Sequence, residues 1–202
     1  MKISELFRSI QGEGLNQGCT SVFVRLAGCN LDCAWCDTRY AREGGADMTV
    51  EEVAAHIGRL GRRRVCITGG EPLLQADELL LLLERLGADG YDVEIETNGT
   101  IDVRPFQEYA AICMDVKCPS SGEASDTSLL AYLTARDCVK FVVSGPADLA
   151  YASGVIARIP PGPGIIITPV AGSDVAAIAA YILEHDLPVR LQVQLHKIIG
   201  VK

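Results

Sequence analysis

The sequence predicts an α/β fold: an open, partial (β/α)6-type barrel of mostly parallel strands, in a single domain spanning residues 1–202. Three observations carry this. Short β-branched runs alternate with helical patterns, as the strands and crossover helices of a parallel sheet do. Several runs are apolar throughout, as strands covered on both faces are. Six such strand–helix units in 202 residues are too few for a closed eight-fold barrel, which takes about 250.

The elements follow in order. Strands are expected at Ser21–Leu26, Arg64–Thr68, Val93–Thr97, Ile112–Val116, Val139–Ser144 and Ile165–Thr168, with a weaker one at Val189–Gln194. Thr49-Val50-Glu51-Glu52 reads as a capping box that opens a helix to Leu60, ended by Gly61. A leucine-rich helix is expected at Gln75–Leu86, ended by Gly87, and others at Ser128–Ala135, Ala147–Ile159 and Ser173–His185. Pro160-Pro161-Gly162-Pro163-Gly164 reads as a rigid turn, since a strand follows at once. No internal repeat or low-complexity tract appears.

Composition narrows the function. Hydrophobic residues make up 49% of the chain, enough for a real core. The formal net charge of −8 argues against a nucleic-acid partner. The first residues lack an apolar signal core and the run Leu79–Leu83 is too short to span a bilayer, so a cytoplasmic protein without membrane association is expected. Eight cysteines then suit a reducing compartment; Cys66, Cys113 and Cys138 sit in apolar runs and read as core.

The most informative stretch is Gly28-Cys29-Asn30-Leu31-Asp32-Cys33-Ala34-Trp35-Cys36-Asp37-Thr38, a C-x3-C-x2-C triplet followed by Asp-Thr. Three close thiolates suit three irons of a cubane cluster, whereas electron carriers use a fourth cysteine. The iron left open can bind something that is not protein, as catalytic metal sites do. Zinc is the simpler rival, but it wants a fourth Cys or His, and none stands beside the triplet.

The other polar features fall at strand ends, where parallel α/β folds gather ligands. Thr68-Gly69-Gly70-Glu71-Pro72 follows one strand; its glycines admit close approach, and Glu71 offers a carboxylate to a cationic amine. Glu96-Thr97-Asn98-Gly99 and Asp115-Val116-Lys117 end the next two. Ser9-Ile10-Gln11-Gly12-Glu13-Gly14 is a polar, flexible loop. Arg25 sits among Val22, Phe23, Val24 and Leu26, where a buried guanidinium needs a partner. That partner is either an internal acid or a ligand carboxylate held in a bidentate clamp. The tail Val193–Lys202 is too apolar for a frayed end and is expected to dock.

Taken together, these motifs resemble the 7-carboxy-7-deazaguanine synthase family of radical S-adenosyl-L-methionine (SAM) enzymes, with matches from residue 9 onward. The resemblance implies a radical SAM core and conversion of 6-carboxy-5,6,7,8-tetrahydropterin to 7-carboxy-7-deazaguanine with loss of ammonia, in queuosine or other deazapurine biosynthesis. It implies a 4Fe–4S cluster on Cys29, Cys33 and Cys36, SAM at Gly70, Glu71, Asn98, Asp115, Val116, Lys117 and Thr168, and magnesium at Thr38. It places substrate at Ile10, Gln11, Gly12, Arg25, Thr68, His196 and Lys202. No side chain is implied as catalytic, because the cofactor carries the chemistry. A flavodoxin or ferredoxin would supply electrons, and the protein would be a homodimer. The chain departs from the pattern at Thr168-Pro169, where the family has Gln-Pro, and at Lys202, where it has an apolar residue. Two other functions compete. An activase of a glycyl-radical enzyme would need a protein partner but neither the Gln-Gly-Glu loop nor a docked tail. A simple iron–sulfur electron carrier would need a fourth ligand, for which Cys118 is the best candidate.

Overall fold

The computed structural model describes residues 1–202. The chain runs β1 (Lys2–Ile10), β2 (Thr20–Leu26), β3 (Ala46–Asp47), α1 (Val50–Leu60), β4 (Arg64–Gly69), α2 (Ala76–Ala88), β5 (Asp92–Thr97) and β6 (Ala111–Val116). It continues through β7 (Cys138–Val143), α3 (Pro146–Ile156), β8 (Gly164–Pro169), α4 (Val175–Glu184), β9 (Arg190–Leu191) and α5 (Leu195–Ile199).

All nine strands join one sheet in the order β3-β1-β2-β4-β5-β6-β7-β8-β9. From β2 to β9 every pairing is parallel, and β1 joins β2 and β3 antiparallel. The sheet does not close, as the sequence predicts for a partial barrel. The predicted parallel strands are present with ends shifted by a residue or so.

The helices cover the sheet with apolar faces. The Thr49 capping box forms as expected and α1 ends at Gly61; the helix buries Val53 and Ile57. Leu79, Leu82, Leu83 and Leu86 of α2 are buried beside them. Gly87 does not stop α2, which runs on to Ala88 with Asp89 as its cap. Cys66, Cys113, Cys118 and Cys138 are all buried. The core reading of Cys66, Cys113 and Cys138 holds, and Cys118 belongs to the main apolar core.

Three elements differ from expectation. β1 forms a nine-residue strand where no strand is expected, and it takes in Ser9 and Ile10 of the expected loop. Thr127–Tyr132 is a 3-10 helix capped by Asp126 instead of an α-helix over Ser128–Ala135. Asp137 accepts from Thr134 N–H at 2.7 Å and ends that segment before β7, leaving no length for an α-helix. The expected strand Val189–Gln194 pairs over only Arg190 and Leu191; Gln192 N–H still donates to Ile167 O (2.9 Å), and its side-chain Nε2 donates to Gly14 O (2.9 Å).

Candidate active site

At the carboxyl ends of the parallel strands lies a cavity of about 760 Å³. Cys29, Cys33 and Cys36 all line it, on the loop that leaves β2. That loop is anchored by groups other than its thiols. Ala34 N–H donates to Ser121 O (2.8 Å), Trp35 Nε1 to Ser120 Oγ (3.1 Å), and Arg39 to Ala34 O (2.8 Å). Gly70 explains how β4 meets this loop: a Cβ there would lie 2.0 Å from Gly28 O and 2.8 Å from the Cys29 Cβ. The close approach it permits is therefore to the cysteine loop. Thr38 also lines the cavity, its hydroxyl 3.8 Å from Cys36 Sγ.

Cys118 stands apart. It is fully buried in the core, does not reach the cavity, and burial pushes its thiol up to about 12. It is no fourth ligand, and the electron-carrier reading loses its candidate.

Glu71 also corrects an expectation. It is fully buried and outside the cavity wall, so it offers no carboxylate to a ligand. It accepts from Leu73 N–H (3.0 Å), Thr97 Oγ1 (2.9 Å) and Asn98 N–H (2.6 Å). Burial raises its carboxyl, opposed by those hydrogen bonds. Asn98 does line the cavity, and its Nδ2 donates to Asn30 Oδ1 (2.9 Å) in the cysteine loop. Glu71 thus acts by holding Asn98. Val116 points its side chain into the core, and Thr168 is fully buried behind the wall with no hydrogen-bond partner for its hydroxyl. Val170 and Ala171, just beyond Thr168, line the cavity instead.

Asp115 and Lys117 are present as expected, joined by a 2.8 Å ion pair, with Lys117 Nζ 5.6 Å from the centre of the Trp35 ring. They belong to a larger network that the motifs did not reveal. Lys140, opposite Asp115 in the β6–β7 register, pairs with both Asp115 (3.2 Å) and Glu13. Burial disfavours the charge on Lys140, but Asp115, Glu13 and Glu96 outweigh it and hold the ammonium well above its usual range. Burial would likewise raise Asp115, yet Lys117 and Lys140 bring it below the ordinary carboxylate value. A lysine inside an apolar strand was the available signal, the same one that singled out Arg25.

Ile10, Gln11, Gly12, Arg25, Thr68, His196 and Lys202 all line the same cavity. Gln11 Nε2 donates to both Glu94 and Glu96 at 3.0 Å, and Thr68 Oγ1 donates to Glu96 at 3.1 Å. Burial, with the nearby Glu96 charge, pushes the Glu94 carboxyl up to about 7. Arg25 is paired inside the protein, its Nε donating to Glu5 at 3.1 Å. The tail docks across the mouth: Leu195 N–H donates to Gly12 O (3.1 Å), and Lys197 pairs with Asp37 (2.8 Å) beside the last cysteine.

A family model for the radical SAM superfamily matches residues 23–118, from within β2 through the cysteine loop to just past the end of β6. Over its whole length the chain is 52% identical to a 7-carboxy-7-deazaguanine synthase from Methanospirillum hungatei, covering 86% of that protein. The chain belongs to the 7-carboxy-7-deazaguanine synthase family. A synthase of the same name from Koribacter versatilis is 38% identical over 98% of the chain and 96% of its own length. The crystal structure of QueE from Escherichia coli superposes with a TM-score of 0.79 at 29% identity, over 96% of this chain and 94% of that one. Members of this family are radical SAM enzymes with an iron–sulfur cluster, SAM and magnesium, acting on a small molecule with the help of a reductant. No helix here is long and apolar enough to cross a membrane.

Proposed function

We propose that residues 1–202 work as one domain that converts 6-carboxy-5,6,7,8-tetrahydropterin to 7-carboxy-7-deazaguanine with release of ammonia. The observation that supports this best is the meeting of the three-cysteine loop and the Gln11–Arg25–Thr68–His196 set on one cavity. The donor set fits a 4Fe–4S cluster: three cysteines share one wall, their loop is pinned by other groups, and no fourth cysteine reaches them. When bound, the cluster and SAM supply the electron and the hydrogen-atom transfer chemistry.

The chain's own residues bind, orient and enclose. Cys29, Cys33 and Cys36 would hold the cluster through three of its irons. Asn98, held by Glu71, and the Asp115–Lys117 pair frame SAM next to the cysteine loop, with Gly70 giving the close packing. Val116 and Thr168 shape that wall from behind. Thr38 would offer magnesium one neutral oxygen, a weak ligand that leaves most of the binding to substrate and water. Gln11, Thr68 and the Ile10–Gly12 backbone face the pterin ring, Arg25 faces its carboxylate, and the tail with His196 and Lys202 closes the mouth and excludes water. The electron donor is a flavodoxin or ferredoxin, the working form is a cytoplasmic homodimer, and neither nucleic acid nor membrane takes part.

The test is anaerobic incubation of cluster-loaded protein with SAM, dithionite, magnesium and the tetrahydropterin. Formation of the deazaguanine and ammonia in equal amounts, without net loss of SAM, is expected. SAM cleavage that leaves the pterin untouched, and that turns over only with a protein substrate, would instead favour an activase.

A further inference from the structure

Glu5 faces Arg25 across the antiparallel β1–β2 pair, at the end of a ladder that runs in step from Ile10 opposite Thr20. Ile3 pairs with Leu26 and Glu5 with Arg25, so two residues of β1 step past one of β2. The step falls beyond Glu5: an unbroken ladder would put Ser4 opposite Leu26, and Ile3 takes that place instead.

The pairing uses one edge of the guanidinium only. Arg25 Nε donates to Glu5 Oε2 at 3.1 Å, and its two Nη groups donate to no protein acceptor. The Arg25 side chain is 15% exposed and lines the cavity. Behind it the Phe7 ring lies 5.9 Å from the guanidinium carbon and stacks on Phe23 at 5.0 Å. Glu5 is itself fixed from two further elements: Tyr40 donates its hydroxyl to it at 3.0 Å, and the Lys202 ammonium pairs with it. Tyr40 follows Thr38 by two residues, on the segment that leaves the cysteine loop. The unused Nη edge is the planar fork that takes a carboxylate in two parallel hydrogen bonds.

We propose that Glu5 is a positioning residue: by occupying Nε it presents the Nη edge of Arg25 to the substrate carboxylate, and through Tyr40 it holds that fork at a set distance from the cysteine loop. The inference rests on reading Arg25 as the substrate clamp. Burial would raise the Glu5 carboxyl, but hydrogen bonds from Lys202 and Tyr40, the Lys202 charge and Arg25 hold it below its ordinary value. Glu5 is therefore a standing counter-ion that does not switch with pH near neutrality.

The experiment compares Glu5→Ala, Glu5→Gln, Arg25→Ala and the double variant Glu5→Ala/Arg25→Ala. Two ligands are measured by anaerobic equilibrium dialysis: 6-carboxytetrahydropterin and the tetrahydropterin without its carboxyl. KM and kcat are read on the cluster-loaded enzyme. Glu5→Ala should weaken binding of the carboxylated ligand about 10- to 100-fold, the worth of one charge-assisted hydrogen bond. The carboxyl-free ligand should bind as before, and KM should rise more than kcat falls. Glu5→Gln keeps an acceptor for Nε and should fall between; it also serves if the alanine variant does not fold. In the Arg25→Ala background the Glu5 change should add nothing. Equal weakening of both ligands, or losses that multiply in the double variant, would overturn the proposal. If Arg25→Ala spares both ligands, the clamp reading itself fails. If Arg25→Ala is selective while both Glu5 variants match wild type, the clamp stands and the role of Glu5 falls.

Discussion

Gly12 and His196 interlock: a Cβ on Gly12 would lie 1.9 Å from His196 Nδ1. The loop after β1 and the first turn of α5 are thus built around each other, with Leu195 N–H donating to Gly12 O alongside. A residue from each end of the chain forms one corner of the cavity.

Gly12→Ala should therefore lift the tail off the mouth. The expected result is a rise in the pterin KM of about tenfold or more, as misplaced positioning groups cost, and faster proteolysis within Val193–Lys202. Adding His196→Ala should restore protection of the tail, because it removes the ring the new methyl strikes. Wild-type proteolysis of the single variant would mean that the interlock does not hold the tail.

The cysteines divide into two classes with different readouts. Cys29→Ala, Cys33→Ala and Cys36→Ala should each abolish the 4Fe–4S cluster, measured as bound iron and sulfide. Cys118→Ala should keep full iron content and cost about 1 kcal/mol of stability from the lost core sulfur. Loss of iron in Cys118→Ala would contradict its burial away from the cavity.

Glu94 imposes a pH slope on stability. Unfolded, its carboxyl loses its proton near 4.5; folded, burial and Glu96 keep the proton until about 7. Between those values the folded state binds more protons than the unfolded one, so stability falls as pH rises, by about 3 kcal/mol in all, and levels off above 7. Glu94→Gln mimics the protonated form. Urea unfolding at a series of pH values should show a shallower decline between 4.5 and 7 in the variant, and greater stability than wild type at pH 8. Parallel curves would show that Glu94 is not the group responsible.

Lys140→Met should be severe. It leaves Glu13 and part of Asp115 buried without their cation, a loss that costs about 3–5 kcal/mol. Lys140→Met/Glu13→Gln should recover part of it by removing the stranded charge. Denaturant midpoints of the two variants decide the matter; a single variant as stable as wild type would mean that the network carries no net energy.

How much of this was legible depended on how local each signal was. The cysteine triplet, the Gly70 turn and the parallel strands declare themselves within a few residues, through spacing or unbroken apolar runs. β1 did not: its bulge breaks the two-residue alternation, and most of its residues are only half-buried. Glu5, Glu13 and Glu94 look like ordinary loop or strand acids until the sheet order sets them beside Arg25, Lys140 and Gln11. Glu71 reads as a ligand-facing carboxylate because a motif gives position along the chain and not direction; three donors from Leu73, Thr97 and Asn98 turn it inward.

The buried cysteines have a consequence for life in air. The thiolate is the form that oxidises, and Cys66 and Cys113 are held well above their usual range while Cys118 is pushed up to about 12. Cys138 is sealed beside Cys113. The thiols open to solvent are instead cavity-lining Cys29 and Cys36 and half-exposed Cys19. Oxidation is thereby directed to the cavity and away from the sheet that carries the cysteine loop.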